Sequence, residues 1–152
     1  MPVVIGTAGW NIPHDAADAF DAPDTGSHLE RYARVLAGVE VNSSFHRPHR
    51  RATWARWAAS TPPGFRFSAK LPRAMTHDAR LRVDDAALDE FLAQAGGLGD
   101  KLAVLLVQLP PSLAFECDVA LDFFARLRAR TGAAIACEPR HRSWFEAGAD
   151  AA

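Results

Sequence analysis

Apolar and polar residues alternate along this chain in short runs of two kinds. Val3-Val4-Ile5 is an apolar strand that Gly6-Thr7-Ala8-Gly9-Trp10 ends in a glycine turn. Ser27 to Glu30 has the spacing of a capping box, and Leu29, Tyr32, Ala33 and Leu36 follow at helical intervals until Gly38. Val39 to Phe45 then predicts a strand with its valines on one face and Glu40 and Asn42 on the other. A parallel strand covered on both sides is apolar on both, so the polar face of this one predicts a wet or functional interior.

The same alternation returns downstream. A short helix carries Trp54, Trp57 and Ala58 on one face and ends at Thr61-Pro62-Pro63-Gly64. The strand Phe65 to Lys70 sets Phe65, Phe67 and Ala69 against Arg66, Ser68 and Lys70. A long loop leads to a helix with Leu88, Phe91, Leu92 and Ala95 inside, closed by Gly96-Gly97. Leu102 to Leu109 is apolar until Gln108, which predicts a strand buried on both faces. A helix starting at Asp118 buries Ala120, Phe123, Phe124 and Leu127, and Gly132 stops it before a fifth strand, Ala133 to Cys137. Residues 11 to 26, with Asp15, Asp18, Asp21 and Asp24, read as a solvated loop.

Five strands alternating with four helices predict an α/β fold with a parallel sheet and right-handed crossovers. No glycine-rich phosphate fingerprint follows the first strand, which counts against a dinucleotide fold. Polar residues on one face of consecutive strands favour an enclosed interior, hence a partial TIM (β/α)8-type barrel. A whole barrel needs about 250 residues, and the chain has 152.

Strand parity brings Glu40, Asn42, Lys70, Gln108 and Glu138 to strand C-terminal ends, with Arg140 just beyond, where barrels carry their chemistry. A buried ion-pair network would be the structural alternative, but such pairs add little stability after desolvation. Glu40 and Glu138 are acid/base candidates, and Lys70 between two glutamates is an anion clamp more readily than a Schiff-base amine. Arg47, His49, Arg50, Arg51, Arg73, His77, Arg140, His141 and Arg142 all follow strands, so they predict a basic rim for a small anionic ligand. Trp10, Phe45 and Trp144 are placed either to stack on a ligand or to pack in the core.

Composition changes this picture little. The net charge of -1 gives no global pull toward nucleic acid, so a nucleic-acid module using the basic rim and aromatic stacking ranks second. Cys117 and Cys137 predict reduced, buried thiols in a cytoplasmic protein, and no run of membrane-spanning length or signal peptide is evident. The histidines lack metal-ligand spacing, so neither metal nor cofactor is expected.

Together, Ile5-Gly6-Thr7-Ala8-Gly9-Trp10, Glu40-Val41-Asn42-Ser43-Ser44-Phe45, Phe67-Ser68-Ala69-Lys70 with Thr76-His77, Gln108-Leu109-Pro110-Pro111 and Glu138-Pro139-Arg140-His141 with Ser143-Trp144 resemble the YecE-like family, catalogued as domain of unknown function 72. The resemblance implies a TIM-barrel-like fold with no settled activity, and the candidate ligand-binding residues are Thr7, Trp10, Asn42, Phe45, His77, Gln108, Arg140, His141 and Trp144. His46 stands where the family usually has tyrosine. Family members continue through about three further strands, so the chain reads as a single-domain N-terminal part, truncated or split, completed by self-association or a separate C-terminal half. Hydrolase, isomerase and lyase chemistry on an anionic, phosphorylated or carbohydrate-like metabolite all fit these residues, and so does an inactive fragment.

Overall fold

The computed structural model describes residues 3–20 and 26–146. Five parallel strands, β1 (Gly6–Ala8), β2 (Gly38–Val41), β3 (Arg66–Lys70), β4 (Leu102–Gln108) and β5 (Ala134–Glu138), pair in their order along the chain. Four α-helices connect them: α1 (His28–Tyr32), α2 (Arg51–Ala59), α3 (Asp85–Ala95) and α4 (Cys117–Arg130). A doubly wound sheet reverses its strand order at a switch point, whereas this order never reverses. With crossovers of one hand, every helix then falls on the same face, and the sheet is an open arc of a barrel.

Burial follows strand parity. Val39, Val41, Phe67, Ala69, Leu105 and Val107 are buried against Leu29, Tyr32, Trp54, Leu88, Phe91, Phe123 and Leu127 in one core. The opposite face carries Glu40, Ser68, Val104, Leu106 and Ala134, which are half-buried or exposed. The fourth strand is buried on its outer face, at Leu105 and Val107, while among the described residues nothing covers the inner side of Val104 and Leu106, which in a whole barrel would face the remaining strands. Ion pairs of Arg126 and Arg130 with Asp85 and Asp89 tie α4 to α3 on the outside.

Several local expectations shift. The first strand lies at Gly6–Ala8, three residues later than the apolar run, because Thr7 and its neighbours align with β2. The capping box of Ser27 and Glu30 is present, but α1 ends at Tyr32. Arg34 and Val35 donate to carbonyls only three residues back, a tightening that ends the helix before β2. Residues 14–20 form a 3-10 helix instead of a solvated loop, with Phe20 stacked on Tyr32 at 6.0 Å; Asp21 and Asp24 lie outside the described residues. Both cysteines are exposed, not buried. Cys117 opens α4 on the outer surface, and Cys137 sits on β5, whose far edge has no neighbouring strand among the described residues.

After β3 the chain forms a π-helical turn, Ala74–Asp78, where the sequence suggested an open loop. Arg80 and Leu81 then adopt left-handed backbone conformations, at φ 51° and 69°. Such conformations cost non-glycine residues on the order of 1–3 kcal/mol and persist where surrounding packing fixes them. Leu81 is buried, and Arg80 donates to the Ser112 carbonyl at 2.9 Å, so both residues are held.

Candidate active site

Register explains how the strands gather their polar ends. Glu40 pairs with Ser68, Lys70 pairs with Leu106 two residues further up β3, and Gln108 pairs with Glu138 two residues further again. Barrel strands are staggered by about one residue each, so this staircase follows the tilt and brings the groups toward one level at the mouth. An open hollow of about 580 Å³ lies below them, lined by Gly6, Ala8, Gly38, Arg66, Ala103 and Ala134 as well as Glu40. That hollow is the uncovered inner face; the ionisable groups stand at and above its upper end.

The two carboxylates experience opposite environments. Desolvation raises the Glu40 pKa above the ordinary carboxylate range; Lys70 partly offsets this, and the Glu138 charge reinforces it. For Glu138 the direction is downward, mainly because Gln108 donates to both of its oxygens at 3.0 Å. Arg140 adds to that lowering, donating from Nε at 3.1 Å and from a terminal nitrogen at 2.9 Å. Where neighbouring titratable groups are pushed apart, the raised one is suited to carry a proton and the lowered one to stay ionised.

Lys70 is buried to 8 % exposure, yet no ion pair among the described residues includes it. Its ammonium lies 4.4 Å from the centroid of the Phe45 ring, where the π face supplies part of the lost hydration. Edges of His46 and His77 meet the same ring at 5.0 and 4.9 Å. Burial and the nearby cations Arg73, Lys70 and Arg140 lower the His77 pKa, so its imidazole is neutral near pH 7. Its Nδ1 lies 2.9 Å from the Thr76 hydroxyl. Asn42 adds a buried side-chain oxygen with no hydrogen-bond partner. Of the ion-pair network weighed as the structural alternative, among the described residues only one direct pair is present, Glu138 with Arg140.

Other expected ligand-binding residues have partners within the fold. Thr7 shares the outward parity of Val39, and its hydroxyl donates to the Gly9 carbonyl at 2.7 Å while its amide donates to the Tyr32 hydroxyl. Trp10 packs edge-to-face on Trp57 at 5.1 Å. Trp144 meets Phe115 at 4.9 Å and donates to the Leu113 carbonyl, and His141 Nδ1 accepts from the Ser143 amide. These contacts fasten the loop after β4 to the end of β5. Gln108 holds Glu138 and so orients a carboxylate. One contact escaped the sequence reading: Ser43 Oγ lies 2.9 Å from His49 Nε2 across a 3-10 turn, a juxtaposition that no helix or strand period signals. Among the described residues no group of three His, Cys, Asp or Glu side chains is arranged to hold a metal ion, and no helix is long and apolar enough to cross a membrane.

An all-parallel arc with helices outside and ionisable groups at the strand C-terminal ends defines a TIM-barrel-like α/β protein. The chain belongs to the family described as "Protein of unknown function DUF72", whose profile matches residues 4–151. It is 34% identical over 82 residues to the UPF0759 protein YecE of Escherichia coli K12, covering 54% of this chain and 30% of that one. The fold is similar to a DUF72 family protein from Enterococcus faecalis V583, with TM-score 0.77 at 19% identity, covering 97% of this chain and 54% of that one. A DUF72 family protein from Thermotoga maritima MSB8 aligns with TM-score 0.71 at 24% identity, covering 96% and 58%. The chain thus spans just over half the length of these solved relatives.

Proposed function

We propose that the mouth of the arc binds a small anionic metabolite, phosphorylated or carbohydrate-like, and converts it by acid/base chemistry. The observation that supports this is a pair of carboxylates in opposite environments, one desolvated and one hydrogen-bonded, around a buried lysine that forms no ion pair among the described residues. Glu40 is the proton-carrying group, Glu138 stays ionised, and Lys70 draws the anion. Arg140 assists, Asn42 offers its unpartnered oxygen to a ligand donor, and the neutral His77 is a second proton acceptor. Hydrolase, isomerase and lyase reactions all use such a set.

The nucleic-acid reading is weaker because Trp10 and Trp144 already pack against Trp57 and Phe115. Two exposed free cysteines favour a reducing, cytoplasmic setting. The open edges of β1 and β5 favour completion of the barrel by a second copy or a separate C-terminal half.

The test is a thermal-shift screen of sugar phosphates and small carboxylates on a full-length relative. Substitutions equivalent to Lys70→Ala and Arg140→Ala are expected to abolish stabilisation by the hits. Undiminished binding by both variants would refute the assignment.

A further inference from the structure

A second cavity lies outside the mouth and depends on neither sheet edge. It occupies about 410 Å³ between the turn after β2, the π-helical turn after β3, and helices α2 and α3. Ligand cavities run from about 300 to 1,000 Å³, so this one holds a single small molecule. Its apolar lining includes Trp54, Met75 and Phe91, all buried.

The polar lining is divided between two sides. Arg47 and Arg73 come from the turns that follow β2 and β3. Arg47 joins no ion pair among the described residues, and Arg73 meets Asp78 through Nε alone at 3.3 Å, leaving its terminal nitrogens without an acidic partner there. On the other side α3 contributes Ala87, Glu90, Phe91 and Gln94. That i, i+3, i+4, i+7 spacing is one helical face. Phe91 on this face is buried, and Glu90 beside it stands exposed at the rim of the cavity, accepting from Gln94 at 3.1 Å. The floor is therefore apolar; the wall formed by the two turns carries Arg47, Arg73 and Asp78 beside His46 and His49, and the opposite wall, on α3, carries Glu90. The turn that brings Arg73 is π-helical and leads into the two left-handed residues Arg80 and Leu81, an irregularity of the kind that recurs at functional sites.

We propose that this side cavity binds a zwitterionic α-amino acid with a large apolar side chain. Its carboxylate would meet Arg47 and Arg73, its ammonium Glu90, and its side chain the Trp54, Met75 and Phe91 floor. A simple anion leaves Glu90 facing like charge, and a simple amine leaves Arg47 and the terminal nitrogens of Arg73 unanswered. The site meets the mouth at Phe45, which lines the cavity and carries Lys70 on its ring, and at Ser44, whose hydroxyl donates to the Lys70 carbonyl at 2.6 Å.

The probes are L-phenylalanine, 3-phenylpropanoate and phenethylamine, titrated into the full chain by NMR. Signals of the Trp54 indole N–H, which donates to the His49 carbonyl at 3.2 Å, and of the Met75 methyl group report on the cavity. Phenylalanine is expected to shift both saturably, with each analogue at least fivefold weaker. Glu90→Gln should remove the preference over 3-phenylpropanoate, and Ala87→Trp should block binding while leaving the circular dichroism unchanged. Should Ala87→Trp unfold the chain, the surface substitution Glu90→Gln still decides. Lys70→Ala is expected to leave phenylalanine affinity within twofold, which keeps this site distinct from the mouth. No saturable shift, equal affinity for all three probes, or loss of binding in Lys70→Ala would overturn the proposal.

Discussion

Tyr32→Phe tests whether the first strand is held by a side chain from α1. The Tyr32 hydroxyl accepts from the Thr7 amide at 2.8 Å and donates to the Gly38 carbonyl at 2.9 Å, and the Thr7 hydroxyl lies 3.0 Å away. One atom therefore bridges β1 and β2. The residue is 2 % exposed, and its ring contacts Phe20 and Phe65, contacts that phenylalanine would keep. The substitution isolates the loss of the hydroxyl. An orphaned buried partner costs about 1–3 kcal/mol. The Gly38 carbonyl is buried and bears most of that cost, while Thr7 is exposed enough for water to replace its bond. The expected loss is about 2 kcal/mol, which at a urea m value of about 2 kcal/mol per molar lowers the unfolding midpoint by about 1 M. Hydrogen exchange should show the Thr7 amide losing protection first, because β1 is an edge strand of three residues. A midpoint within 0.2 M of wild type, on the order of the noise in such measurements, with Thr7 still protected, would refute the bridging role and return the Thr7 hydroxyl to the candidate ligand groups.

Glu40→Gln is expected to stabilise the chain at neutral pH. A raised folded pKa makes the ionised carboxylate a cost that is absent below the unfolded pKa and complete above the folded one, so the gain over wild type should grow as pH rises through that interval. A gain independent of pH would contradict this. Glu138→Gln should behave oppositely: its lowered pKa gives stability above the unfolded value that is lost as pH falls through the folded value. With the pair 47% and 45% exposed, the neutral-pH loss should be about 0.5–1 kcal/mol, and chemical denaturation at several pH values checks both variants. Light scattering of the purified chain is expected to show association, because β1 and β5 each leave a backbone edge without a partner strand among the described residues. A cooperative, strictly monomeric protein would contradict that expectation.

Strand parity made the mouth legible in advance. Side chains on a strand alternate, so Val39, Phe67 and Leu105 had to share a face, and their burial against the helices leaves Glu40 and Ser68 on the other. Parity also assigned Thr7 to the outward face once its register with Val39 was fixed. That register depends on where β1 begins, which the hydrophobic run of residues 3–5 misplaced by three positions. The π-helical turn was invisible for a different reason. Its backbone follows from tertiary anchors, the buried Met75, Thr76 and Leu81 together with Arg80 reaching Ser112, and no local propensity encodes it.

The contrast between the two glutamates was equally beyond the sequence, since each lies at the C-terminal end of a short strand among apolar neighbours. What separates them is the company each keeps. Gln108 stands opposite Glu138 in register and Arg140 follows two residues later, so hydrogen bonds from both favour the ionised form. Glu40 stands opposite Ser68 and forms no ion pair among the described residues. Desolvation of Glu40 and the charge of Glu138 both favour its neutral form, and Lys70 only partly offsets them. Protonating Glu40 relieves that strain, whereas an anion that draws Lys70 toward itself would increase it, because the lysine would then stabilise the ionised glutamate less. Under the proposed function, anion binding and proton uptake at Glu40 would therefore be coupled through Lys70, each favouring the other.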